Sequence, residues 1–158
     1  MTTTRAKRSA GLLLWRRAED GALEVLLGHP GGPFYARKDD GAWSVLKGEV
    51  ERDEDPLTVA RREFEEETGA TPPDVPPIEL GEIRLASGKF VVAWAFEGDL
   101  DPATAVSNTF ELEWPPMSGR VRSFPEIDRV AWFDLTTART KLNPAQTAFI
   151  DRLEAALG

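Results

Sequence analysis

The chain has 158 residues, 41% hydrophobic and 29% charged, with a formal net charge of −8 and no cysteine. That length and balance fit one globular domain with its own core, and exclude collagen-like, disordered and disulfide-stapled chains. They also exclude a thiolate zinc site, a cysteine nucleophile and a basic footprint on a nucleic-acid polymer.

Residues 1–7 (MTTTRAK) are polar and are expected to be a disordered tail, leaving 8–158 as one domain. Ser9 to Trp15 (SAGLLLW) and Leu23 to Leu27 (LEVLL) predict short buried strands with a turn over 17–22. The early apolar stretch is too short to cross a bilayer and weak as a signal-peptide core, so a cytoplasmic protein with no membrane partner is expected. Residues 28–41 (GHPGGPFYARKDDG) read as a long surface loop carrying the only histidine, His29. Strand character resumes at Trp43 to Val45.

Asp55 is an N-cap candidate with Pro56 at the first helical position, where the missing N–H costs nothing. Gly69 should end that helix, with Leu57, Ala60, Phe64 and Thr68 on its packing face. Leu80 to Leu85 and Phe90 to Phe96 predict a strand pair turning at Ser87-Gly88, the second strand apolar enough to be central in a sheet. Phe110 to Trp114 reads as an edge strand, 115–125 as a second loop, Val130 to Phe133 as the last strand. Pro144 to Leu157 predicts a closing helix with Phe149, Ile150 and Leu153 inward.

The chemistry is concentrated in residues 48–70, GEVERDEDPLTVARREFEEETGA. On a helix Glu63, Glu66 and Glu67 stand at i, i+3 and i+4, so their carboxylates share one face. Like charges so close destabilise a helix unless something neutralises them, and hard oxygen ligands at this spacing suit Mg²⁺ or Mn²⁺. Taken alone, such a triplet also fits a solvated helix face. The surrounding residues decide between these readings. Gly48, Glu54, Arg62, Glu63, Glu66, Glu67 and Gly69 fill every fixed position of G-x5-E-x7-R-E-U-x-E-E-x-G-U, and the segment therefore resembles the signature of the Nudix hydrolase family. Phe64 and Ala70 stand where that signature prefers bulky aliphatics.

The resemblance implies an α/β class chain with the Nudix fold, an α/β/α sandwich with a mixed β-sheet and a loop-helix-loop. It implies metal ligation by Glu63, Glu66 and Glu67 with a backbone carbonyl near Lys47 or Gly48, and Mg²⁺ or Mn²⁺ as cofactor. Gly48, Glu54, Arg62 and Gly69 would be structural, Glu54 and Arg62 as a charge pair. The expected activity is hydrolysis of a pyrophosphate bond in a nucleoside diphosphate linked to X, a dinucleoside polyphosphate or nucleoside triphosphate being favoured. The proton from water would go to Glu63, Glu66 or Glu126, the last by analogy with family members that recruit a loop glutamate before the final strand.

WSVLKG, from Trp43 to Gly48, resembles the W-x-x-P-K-G segment of diadenosine-polyphosphate-hydrolase-like members, with Leu46 in place of proline. Lys47 is then a phosphate-binding candidate, and Phe34, Tyr35 and Trp43 are candidates to stack on a base. Packing in the core is an equally good reading of Trp43. The partner expected is a small nucleotide. The alternative function is a Nudix-fold domain that binds a nucleotide or nucleotide sugar without turning it over.

Overall fold

The computed structural model describes residues 7–158, so the expected tail over 1–6 lies outside the described residues. Lys7 does not belong to a tail: its carbonyl accepts from Phe90 N at 2.9 Å. The chain runs β1 (Arg8–Arg17), β2 (Leu23–Pro30), β3 (Leu46–Glu49), α1 (Pro56–Thr68), β4 (Ile78–Arg84), β5 (Phe90–Glu97), β6 (Thr109–Glu113), β7 (Val121–Pro125), β8 (Ile127–Asp134), α2 (Leu135–Lys141) and α3 (Thr147–Leu157). No helix among the described residues is long and apolar enough to cross a membrane.

Six strands form the main sheet, in the order β4-β5-β1-β2-β8 with β3 also paired to β1. The sheet is mixed: β1 and β5 are parallel, and the other pairs are antiparallel. One edge of β1 follows β5 from Arg8 to Trp15. The opposite edge is divided, with β3 against Ser9 to Leu12 and β2 against Trp15 to Arg17. β1 is apolar at successive positions because both faces of the sheet are covered. Leu12 and Leu14 pack toward α1 with Val59, Ala60 and Phe64, whereas Leu13 and Trp15 belong to the cluster containing Phe149, Ile150 and Leu153 of α3. This is the α/β/α sandwich implied by the sequence, and the FVVAWAF run is indeed internal, lying between β4 and β1.

Helix α1 begins and ends as its caps dictate. The Asp55 side chain accepts from Thr58 N at 3.1 Å, Pro56 leads the first turn, and Gly69 adopts φ 77 to close it. Only glycine takes that left-handed turn without a steric cost from Cβ.

Several expected elements differ. β2 continues through His29 to Pro30, so the surface loop starts later than residue 28 and His29 is fully buried. β3 starts at Leu46; Trp43 and Ser44 are held by isolated bridges to Leu142 and Gly28. Thr109–Glu113 is not an edge of the main sheet but pairs with Val121–Pro125 as a separate two-stranded hairpin. Residues 121–125 read as loop because no face of this hairpin is buried, leaving no apolar alternation to detect. Helix α2 is not expected from the sequence: its three threonines are weak helix formers, and Asp134 compensates by capping Thr137 N at 2.7 Å. The closing helix starts at Thr147, preceded by a 3₁₀ turn over Pro144–Gln146.

Candidate active site

Strand β3 and helix α1 meet at Gly48 and Glu63. A Cβ built on Gly48 would overlap the Glu63 carboxylate, so the carboxylate rests directly on the β3 backbone. One turn along, Glu67 is 8% exposed and its Oε2 is buried without a hydrogen-bond partner. Burial, and then the charge of Glu63, push the Glu67 carboxyl up to about 9. Burial, followed by the charge of Glu66, also raises Glu63. Lys47, half-buried on β3, is shifted the other way: desolvation lowers it while Glu67 pulls it up. An unpaired buried carboxylate oxygen among further carboxylates is the environment a divalent cation would relieve.

These residues fit a hard cation. Among the described residues no three His, Cys, Asp or Glu side chains already form a cation cage. An open acidic face suits an ion that keeps water and takes phosphate oxygens as its remaining ligands.

The loop between β3 and α1 is fastened to the helix. Arg62 Nη1 donates to Glu54 Oε2 at 2.6 Å, and Glu54 Oε1 accepts from Glu51 N at 2.9 Å. The Arg62 guanidinium holds the Glu54 carboxyl below the usual carboxylate range. At the far end of α1 the Glu66 carbonyl accepts from Asn108 N at 2.9 Å. The Asn108 carbonyl accepts from Glu126 N at 2.9 Å, and Glu126 O from Gly31 N at 2.9 Å. Glu126, the single residue between β7 and β8, is thereby tied by main-chain bonds to the acidic helix α1.

A cavity of about 560 Å³ opens beside this acidic face, and its walls include Lys47, Glu67, Glu126, Trp43 and Tyr35. Glu63 and Glu66 are not among its walls; Glu66 faces a second groove with Arg61 and Arg62. Trp43 is 3% exposed, edge-on to His29 and Phe133, with Nε1 donating to Asp39. The Arg129 guanidinium lies 5.1 Å from its ring centroid. Trp43 is therefore a packed wall of the cavity, in line with the core-packing one of its two sequence readings. Tyr35 is 40% exposed and faces the cavity, whereas Phe34 is 61% exposed, is not one of the walls and meets Trp114 edge-on at 5.5 Å.

Sequence reasoning missed Asn143 and Gln146, which complete the inner wall. Gln146 is buried, accepting from Val45 N at 2.9 Å and donating to Ser44 Oγ at 3.0 Å. The proline after Asn143 marked a helix start and nothing more, and no signal singled out Gln146.

The family model described as NUDIX domain matches residues 5–153. The chain belongs to the Nudix family. Among curated proteins this Nudix chain is similar to an octanoyltransferase of Myxococcus xanthus, 35% identical over 102 residues, which is 65% of this chain but 25% of that protein. The chain thus spans a quarter of that relative's length. Among solved structures it resembles the Ap4A hydrolase of C. elegans, with TM-score 0.65 and 21% identity, covering 98% of this chain and 100% of the other. It also resembles the NUDIX domain of Shewanella oneidensis NrtR complexed with ADP ribose, with TM-score 0.68 and 16% identity over 99% and 91% of the two chains. A mutT/nudix family protein of Listeria innocua matches with TM-score 0.62 and 21% identity over 98% and 96%. At these identities the likeness is one of fold.

Proposed function

We propose that residues 8–158 act as one cytoplasmic Nudix domain that hydrolyses a pyrophosphate bond in a nucleoside diphosphate linked to X. A dinucleoside polyphosphate or a nucleoside triphosphate is the favoured substrate, with Mg²⁺ or Mn²⁺ as cofactor and no nucleic-acid polymer as partner. The observation that carries this reading is the buried, unpartnered Oε2 of Glu67 in the same cavity as Lys47 and Glu126. Negative and positive groups are brought together where a phosphate chain and its cation would meet.

In this reading Glu63, Glu66 and Glu67, with the backbone carbonyl of Gly48, hold the metal. When bound, the cation neutralises charge on the phosphate oxygens and makes water a stronger acid. Lys47 contacts the phosphate chain. Water attacks one phosphorus, the P–O bond to the bridging oxygen breaks, and the released phosphate leaves with that oxygen and its electron pair. The proton lost by water passes to a carboxylate. Of the three candidates Glu126 alone lines the cavity shared by Lys47 and Glu67, and two main-chain bonds hold it, whereas Glu63 and Glu66 are not among the cavity walls. Tyr35 offers a ring to the base. Glu54 and Arg62 keep the loop against the helix, and Gly48 and Gly69 permit the close approach and the turn.

The binding-only alternative is not favoured, since a pure binder has no need of the whole acidic triad. The test is incubation with Mg²⁺ or Mn²⁺ and diadenosine tetraphosphate, ATP and ADP-ribose, with the products identified. Metal-dependent cleavage abolished by EDTA supports the proposal. Nucleotide binding without metal-dependent phosphate release would select the alternative.

A further inference from the structure

His29 is the only histidine of the chain and is fully buried, yet neither metal binding nor proton transfer uses it. Its ring touches three segments. Nδ1 lies 2.9 and 3.0 Å from the two oxygens of Asp128 on β8. Nε2 lies 2.6 Å from the Lys38 carbonyl, which has only lone pairs, so this nitrogen donates. The ring edge meets Trp43, with centroids 5.2 Å apart. Lys38, Trp43 and, two residues before Asp128, Glu126 all border the cavity.

The β2–β8 ladder is irregular at this point. His29 pairs with Arg129 but Pro30 pairs with Ile127, so Asp128 is an extra residue. A bulge of this kind breaks the alternation of side chains and re-aims the neighbouring residues of its strand. Asp128 and Arg129 reach the His29–Trp43 side together, while Ile127 packs with the α1-side cluster of Leu26 and Leu46. Glu126 then falls on the cavity side. Ile127 also touches the cavity, but without the extra residue it and Glu126 would exchange faces of the strand.

We infer that the His29–Asp128 pair is a positioning device that holds the β8 bulge in place and so aims the Glu126 carboxylate into the site, while the same ring anchors the Lys38 wall. This rests on the hydrolase reading above. Its prediction is that Asp128 affects turnover only through Glu126.

The test is a cycle of Asp128→Ala, Glu126→Gln and the double variant, assayed with diadenosine tetraphosphate, ATP and ADP-ribose in Mn²⁺, and a fold check by circular dichroism. A misplacement near 1 Å can cost about 100-fold, so Asp128→Ala should lower kcat by about 10- to 100-fold with KM nearly unchanged. The double variant should be no slower than Glu126→Gln alone. Asp128→Asn, whose amide keeps the shape of the carboxylate and can pair with Nδ1 as donor or acceptor, should recover most of the loss. Multiplicative losses in the double variant, or full activity of Asp128→Ala, overturn the inference while leaving the hydrolase reading intact. Should Asp128→Ala fail to fold, Asp128→Ser carries the same cycle. A wild-type chain that cleaves none of the three nucleotides overturns both.

Discussion

The carboxylate of Glu63 occupies the space that a side chain at Gly48 would need. A signature glycine and a signature glutamate, one on β3 and one on α1, are thus two halves of a single packing contact. The spacing between them in the sequence measures the loop required to bring helix back onto strand.

Gly48→Ala should therefore displace Glu63 rather than merely stiffen the turn. Overpacking of this kind costs about 1–3 kcal/mol, which thermal unfolding would register. The more telling measurement is the Mn²⁺ concentration for half-maximal activity, expected to rise about 10-fold or more. An unchanged metal dependence would separate Gly48 from the metal site.

Glu67 gives a prediction for pH. Its carboxyl titrates near 9 in the folded, metal-free chain, and an unfolded glutamate near about 4.3. Between those values the folded chain retains a proton that the unfolded chain has lost, so stability falls as pH rises through the window. The melting temperature in EDTA should decline from pH 5 to 9 for the wild type and decline less for Glu67→Gln. Divalent metal should reverse the wild-type trend. Glu67→Gln should lose at least the 10–100-fold in metal affinity that disturbing a ligand's own support already costs. Parallel EDTA melting curves for the two proteins would count against the buried charge.

Glu126→Gln removes the favoured proton acceptor while keeping its shape. If Glu126 takes the proton from water, kcat should fall by about 10²–10⁴-fold with the fold and metal affinity preserved. Full activity in this variant would move the role to Glu63 or Glu66.

Phe64 lies on the opposite side of α1 from solvent, 1% exposed among Leu12, Leu14 and Val59. Phe64→Ala should cost about 3–5 kcal/mol, and Phe64→Leu much less. Chemical denaturation checks both. A small effect of the alanine variant would mean that α1 is not anchored by its apolar stripe.

Helix α1 can be read from sequence residue by residue, because its start, its stop and its acidic face each depend on local chemistry: Asp55 and Pro56, Gly69, and the Glu63/Glu66/Glu67 spacing. The apolar strands β1 and β5 are equally plain, since burial on both faces leaves continuous runs. The features that escape such reading depend on neighbours distant in sequence. His29 looks like loop until Asp128 and the Lys38 carbonyl stand beside it. Trp43 reads equally as core or as a stacking ring until His29, Phe133 and Arg129 surround it. The β7 strand has no buried face, and α2 is capped from outside by Asp134, so periodicity has nothing to detect.

The divided edge of β1 has a consequence for how such a protein can change. Through β3 this strand sets the floor beneath the acidic helix, and through β2 it sets the support for Glu126, yet no β1 side chain lines the cavity. Cavity lining can change in the 31–42 loop, which contributes Tyr35, Lys38 and Asp39 to its walls, while the acidic helix and Glu126 stay in register. A change in the twist of β1, by contrast, would shift both at once, so this strand, remote from every reacting atom, is the part of the molecule with the least freedom to vary.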